Sequence, residues 1–195
     1  MLYRVFMNFK QIILASNSPR RKELLAGLDI DFTISVKPDI DETYPPNLAP
    51  REVPVYLARK KAQAYMDELD HQELLITADT VVIVGDEILG KPCDDDEAKR
   101  MLTLLSGKTH LVTTGVCLAT LRKTRTFSVT TQVTFKELTA DEINYYILKY
   151  RPFDKAGAYG IQEWIGYIGV TNLEGSFYNV MGLPVQRIYQ EMQSF

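Results

Sequence analysis

The chain has 195 residues, 46% hydrophobic and 24% charged, with 11 glycines and 9 prolines. That composition supports a sizeable buried core in one large domain or two small lobes, and excludes a disordered or fibrous chain. A net charge of −3 argues against a general nucleic-acid coat, so any bound anion must be met by a local cluster of cations.

Cys93 and Cys117, with two histidines and no CxxC, exclude a structural zinc site and a disulfide framework; a reducing cytosol is the simplest reading. The opening "MLYRVFMNFKQIILAS" is broken by Asn8, Lys10 and Gln11, too early for a signal peptide. No stretch approaches the roughly 18 apolar residues of a membrane span. These features predict a soluble, cytoplasmic protein with no membrane partner.

Residues 11–15 and 32–36 read as strands flanking a helix at 19–27, with Ser18 as its N-cap and Pro19 at its first position. A Pro-containing loop fills 37–50. A long helix is expected from about 51 to 69, with Leu57, Lys61 and Ala64 near one face. Residues 74–89 read as a strand, a Gly-Asp turn and a short returning strand, and a helix follows at 95–105. "THLVTTGVCLAT" and "RTFSVTTQVTF" form a Thr/Val-rich hairpin joined by a basic turn. Then come a helix at 139–149, the Gly-rich "DKAGAYGIQ" (154–162), "WIGYIGVTN" as a further strand, and a last helix near 183–193. The mixture predicts an α/β or α+β fold with a mixed sheet.

Several residues stand out chemically. Arg20, Arg21 and Lys22 crowd the first turn of a helix whose N-terminus is already positive, each mildly unfavourable by about 0.3–1 kcal/mol. Either this is a solvated basic surface, or an anion docks there, attracted by cations and dipole together, with Ser16 and Ser18 as added donors. Asp79 interrupts the apolar "ITADTVVIV"; a carboxylate there must be paired, hydrogen-bonded or metal-bound, whether for structure or for function. "GDEILGKP" has P-loop spacing, but Pro92 stands where the magnesium-binding hydroxyl belongs and no helix follows, so the P-loop is rejected and Lys91 kept as a loop cation. Asp94, Asp95 and Asp96 read as helix caps rather than metal ligands, and His71 and His110 as structural. Glycines in "DKAGAYGIQ" permit close approach of backbone to a ligand or a second element, and Gln162 offers an amide suited to a base edge.

Taken in order, "LASNSPRRKELL", "DE" at 41–42, "YLARKKA", "ADTVV", "GKP", "LSGKTHLVTTGV", "DKAGAYGIQ" and "GSFYNVMGLP" resemble the Maf family of nucleoside triphosphate pyrophosphatases, from about residue 11 to about 190. The resemblance implies one Maf-like domain over 1–195, an elongated mixed sheet with flanking helices, and two lobes around a cleft, similar to the inosine triphosphate pyrophosphatase fold. It implies that Ser16, Ser18, Arg20 and Arg21 hold the triphosphate, that Lys61 and Lys91 face the phosphates, and that Glu42 is a metal ligand. Asp79 would be the catalytic carboxylate, as general base or as a second metal ligand. Arg20, Thr80 and Gln162 match the branch that acts on dTTP and UTP, with modified pyrimidine triphosphates left open. The cofactor implied is a divalent cation, magnesium or manganese. The partner is the nucleotide, with no nucleic acid, and a homodimer is the default assembly. A nucleotide-binding regulator with incidental hydrolysis is the competing reading.

Overall fold

The computed structural model describes residues 9–195. Residues 1–8, half of the segment weighed as a signal peptide, lie outside the described residues.

Among the described residues, seven strands form one sheet in the order β2-β1-β3-β5-β6-β7, with β4 paired to β3. The first strand, β1 (Gln11–Leu14), pairs in parallel with β2 (Thr33–Ile34) and with β3 (Glu73–Val84). The partner strands β3 and β4 (Glu87–Leu89) are antiparallel, as are β6 (Thr124–Phe135) and β7 (Val170–Glu174), so the sheet is mixed as expected. β3 is buried along nearly its whole length, as a central strand covered on both faces must be, and the run is interrupted only at Asp79 and Thr80 before its last residue. β5 (Thr109–Ala119) and β6 are sheet neighbours joined by the tight turn in which Thr120 N–H donates to Lys123 O, the expected hairpin.

The chain divides into two compact units. The first comprises residues up to Asp79, Thr114–Val129 and Gly182–Phe195. Its helices are α1 (Pro19–Ala26), α2 (Val53–Gln63) and, at the C-terminus, α7 (Val185–Gln193), which is numbered last in chain order. Ala58, Ala62, Tyr65 and Leu69 pack on Leu75, Cys117 and Ala119. α2 is shorter than the pattern over 51–69 predicts: it ends at Gln63, and a separate 3-10 turn covers Met66–Glu68. Ala64 is therefore a C-cap turned to solvent, and the buried side is made by Val53, Pro54, Leu57, Ala58 and Ala62. α2 lies so close on β5 that a Cβ on Gly115 would stand 2.3 Å from the backbone of Pro54 and Val55.

The second unit comprises Thr80–Thr113 and Thr130–Met181. Its core joins Leu102 and Leu105 of α3 (Asp95–Leu105), Val133 and Phe135 of β6, and Tyr146 and Ile147 of α4 (Ala140–Tyr150). Both helices start as their sequences dictate. Asp94 accepts from Glu97 N–H at 2.8 Å, and Thr139 with Glu142 closes a reciprocal capping box. "WIGYIGVTN" is not one strand: Trp164–Gly169 is helix α5, and only Val170–Glu174 is strand β7. Local bonding overrides the β propensity of Trp, Ile and Tyr, because Gly166 N–H reaches Glu163 O and the missing side chain lets the turn sit against the Ile161 carbonyl. A short helix α6 (Phe177–Met181), not anticipated, precedes α7.

Candidate active site

The corner after β1 is built as its sequence requires. Ala15 N–H makes the last rung to Ile76 O at 2.9 Å, and the chain then turns through Ser16 to Ser18. Ser16 Oγ accepts from Ser18 N–H at 3.2 Å, and Ser18 Oγ accepts from Arg21 N–H at 3.4 Å. Each hydroxyl keeps its own proton to donate. α1 has no acidic residue in its first turn, so the positive end of its dipole and Arg20, Arg21 and Lys22 stand together.

Arg21 has a task that its place in the motif does not announce. Its Nε donates to Gly182 O at 2.8 Å and its Nη1 to Ala78 O at 2.7 Å. The guanidinium thus ties the start of α1 to the residue before Asp79 and to the chain entering α7. Burial lowers its pKa, an effect opposed by the nearby Asp79 carboxylate and reinforced by Arg20. Two of its N–H groups serve backbone carbonyls, beside the phosphate-binding role that the resemblance implies.

Asp79 and Lys61 are brought together from β3 and α2. Lys61 Nζ lies 2.7 Å from Asp79 Oδ1 and 3.1 Å from Glu42 Oε1. The side chains of Lys61 and Asp79 are 16% and 13% exposed, whereas Glu42 is 57% exposed. Two local devices fix the constellation. Thr77 Oγ1 donates to Ala58 O at 2.6 Å in a fully buried bond, locking the strand two residues before Asp79 to the helix three residues before Lys61. Asp41 accepts from Lys60 Nζ at 2.6 Å and from Thr43 N–H at 2.9 Å, and these bonds, with Lys60's the larger, hold its carboxyl at about 2. Adjacent loop carboxylates, Asp41 and Glu42, therefore meet adjacent helix lysines, Lys60 and Lys61. The "DE" and "KK" doublets carried that signal in the sequence, and only one member of each doublet was singled out.

Lys91, Thr80 and Gln162 belong to the second unit. Thr80 is half-buried on β3 beside Asp79, and Lys91 is exposed in the loop after β4, which is a hairpin strand and not a phosphate-binding loop. Gly157 N–H donates to Gly90 O at 2.9 Å, so the loop carrying Lys91 and the loop carrying Gln162 are fastened to each other. Gly157 has φ +69°, and a Cβ there would stand 2.9 Å from Val82, so its close approach is to a second element. Gln162 is half-buried, and its Oε1 is buried without a hydrogen-bond partner among the described residues.

Asp94 caps α3, and among the described residues no three His, Cys, Asp or Glu side chains gather as a metal cluster. His110 is buried, with Nε2 2.7 Å from Tyr159 Oη and its ring edge-on to Phe135 and Tyr159. Cys93 and Cys117 are free thiols. Among the described residues no helix is long and apolar enough to cross a membrane.

The Maf-like protein family model matches residues 11–195, through both units without a break, and the chain belongs to that family. It is similar to the dTTP/UTP pyrophosphatase of Porphyromonas gingivalis, 59% identical over 187 residues, covering 95% of this chain and 94% of that protein. The dTTP/UTP pyrophosphatase of Phocaeicola vulgatus is 57% identical over 183 residues, covering 94% and 95%. That of Flavobacterium psychrophilum is 51% identical over 189 residues, covering 97% and 96%. Among solved structures, a nucleoside-triphosphatase (dITP/XTP pyrophosphatase) of Mycobacterium abscessus is 14% identical over 67% of this chain and 76% of that chain, with a TM-score of 0.42.

Proposed function

We infer that this chain is a nucleoside triphosphate pyrophosphatase that hydrolyses dTTP and UTP to the nucleoside monophosphate and pyrophosphate. Relatives of that name at 51–59% identity support the activity. The observation that carries a mechanism is the pairing of a little-exposed carboxylate, Asp79, with Lys61 and Glu42 in the unit that also holds the basic start of α1.

In this mechanism Asp79 takes the proton from the attacking water as its oxygen bonds to the α-phosphorus. The bond from that phosphorus to the bridging oxygen breaks in line, and the electron pair leaves on pyrophosphate. Arg20, Lys61, Lys91 and the Ser16 and Ser18 hydroxyls stabilise the phosphate charge, Arg21 supporting them from its backbone anchors. Thr80 and Gln162 face the nucleoside.

Asp79 and Glu42 also fit a divalent cation. Their oxygens lie 2.7 and 3.1 Å from one atom, Lys61 Nζ, so both carboxylates belong to one small site, and magnesium or manganese is commonly held by one or two carboxylates with substrate phosphates completing the shell. When bound, such an ion supplies Lewis-acid polarisation of phosphate oxygens and a more acidic water.

A substrate panel tests the reading: each canonical triphosphate, 5-methyl-UTP and 7-methyl-GTP, with pyrophosphate and monophosphate quantified separately. Pyrophosphate from dTTP and UTP is the expected result. Preference for 7-methyl-GTP overturns the specificity assigned to Arg20, Thr80 and Gln162, and nucleotide binding without turnover overturns the enzyme. The reading also takes the protein as cytoplasmic, homodimeric and without a nucleic-acid partner. Light scattering and a salt series of DNA binding check the last two.

A further inference from the structure

Beneath the 154–162 loop lies a set of buried polar groups that the mechanism does not use. Lys155 is 8% exposed at its side chain, and its Nζ lies 2.7 Å from Asp154 Oδ1 and 3.1 Å from Glu163 Oε1. Tyr146 of α4, fully buried, donates its hydroxyl proton to Glu163 Oε2 and accepts the Gly160 N–H at 3.0 Å. Burial, then the Glu163 carboxylate, hold the Tyr146 phenol protonated well above its ordinary range, so it stays the donor. Gly160 is enclosed by the same groups: a Cβ there would stand 2.9 Å from Glu163 Cδ and 3.1 Å from Lys155 Cε.

These contacts bracket Ile161 and Gln162. Gly160 is pinned two positions before Gln162, Glu163 is pinned one position after it, and Glu163 N–H closes the turn onto Gly160 O at 3.0 Å. A buried ion pair is weak evidence for stability, since apolar side chains of similar volume often do as well. In some proteins such a pair instead selects one conformation of the backbone that it spans.

We propose that Lys155, Glu163 and Tyr146 are positioning residues for base selection: a clamp that fixes the loop so that Gln162 presents Oε1 to the base as a hydrogen-bond acceptor. The proposal rests on Gln162 reading the base. Gln162 Oε1 has no hydrogen-bond partner among the described residues, and thymine and uracil carry an N3–H donor that this acceptor takes once the side chain turns it to the base. Cytosine presents an acceptor at N3, which that oxygen repels. A loosened loop lets the amide rotate or withdraw, and the discrimination fades.

The test compares Tyr146→Phe, the double variant Lys155→Met with Glu163→Gln, and Gln162→Ala. The double variant removes both charges together, leaving no buried ion unpaired. For each, kcat and KM are measured for dTTP and dCTP, with inhibition by inorganic tripolyphosphate as a probe that has no base. The expected result is a dTTP KM raised by about tenfold and a dTTP:dCTP ratio of kcat/KM lowered by a similar factor, towards that of Gln162→Ala. Saturating kcat stays within about threefold, and tripolyphosphate inhibition is unchanged. An unchanged dTTP:dCTP ratio in the clamp variants, or weakened tripolyphosphate inhibition in step with KM, overturns the clamp. If Gln162→Ala itself keeps the ratio, the reading of Gln162 falls, and the clamp's role in selection with it.

Discussion

Lys61 Nζ lies 2.7 Å from Asp79 Oδ1, joining the middle of the sheet to a helix through two side chains that are each less than one-fifth exposed. Thr77 and Ala58 hold the backbones of both partners in register beneath that pair. Replacing Asp79 by Asn keeps shape and volume but removes the carboxylate proposed as the base. Pyrophosphate release is expected to fall by about 10³-fold, with circular dichroism unchanged, because general-base assistance is worth roughly 10²–10⁴. A variant retaining most of its turnover would remove Asp79 from the mechanism. Lys61→Met leaves the Asp79 and Glu42 carboxylates facing each other without the ammonium, and is expected to lose about a hundredfold in kcat/KM.

Arg20 and Arg21 are adjacent in sequence, and the proposed function gives them separate roles. Arg20→Ala is expected to raise the KM for dTTP by about tenfold, the value of one charge-assisted contact, while the melting temperature stays put. Arg21→Ala removes the guanidinium N–H bonds to the Ala78 and Gly182 carbonyls, each worth about 1.5–3 kcal/mol as a hydrogen bond to a charged group. Its melting temperature should drop by several degrees as well as its activity. Arg21→Lys should not restore stability, since an ammonium lacks the planar fork that serves two carbonyls at once. Equal melting temperatures for the Arg20 and Arg21 variants would refute the distinction.

Much of this was legible in the sequence where local chemistry decides the outcome. Ser18 and Pro19 open α1, Asp94 opens α3, and Gly85-Asp86 turns β3 into β4, each because the residue's own bonding or dihedral preference permits little else. Asp79 was legible for the opposite reason, as a charge in an apolar run that needs a partner. What stayed hidden depends on distant contacts. Nothing within "SPRRKELL" says that Arg21 reaches Gly182, more than 150 residues away along the chain. Trp164, Ile165, Tyr167 and Ile168 carry β-favouring side chains, and the bond from Gly166 N–H to Glu163 O with the close approach of Ile161 to Gly166 makes the segment helical. Tyr146 reads as an ordinary apolar position of an amphipathic helix, and its hydroxyl's partners lie on another element.

His110 gives the fold an acid sensitivity with a definite sign. Burial among Phe135 and Tyr159 lowers its pKa from 6.5 to about 4. The unfolded chain therefore binds a proton at this site between pH about 6.5 and about 4, while the native state does not. The associated stability is fully present above pH 6.5 and is lost as pH falls through about 4, amounting to about 3 kcal/mol at about 1.4 kcal/mol per unit. Denaturant titrations from pH 7 to pH 4 should show this loss in the parent protein and a flatter profile in His110→Phe, which cannot bind the proton in either state. Parallel profiles would show that His110 does not govern the slope.

Gly115 carries the docking of α2, and through it the placement of Lys61. Its backbone lies so near the first turn of the helix that a methyl group would stand 2.3 Å from Pro54 C and from Val55 N. Both atoms are backbone, so no rotamer change relieves the contact, and the helix must move away from β5. Moving it strains the buried Thr77 to Ala58 bond and opens the Lys61 to Asp79 pair. Overpacking of this kind costs about 1–3 kcal/mol or more, so Gly115→Ala should lower the melting temperature by several degrees. Because the shift passes along α2 to Lys61, kcat should fall in the fraction that remains folded, measured well below the transition and normalised to folded protein. Gly90→Ala, with nothing within 4 Å of the new methyl group, is the control expected to leave the melting temperature nearly unchanged. A Gly115→Ala variant as stable as that control would show that α2 is not held at this contact.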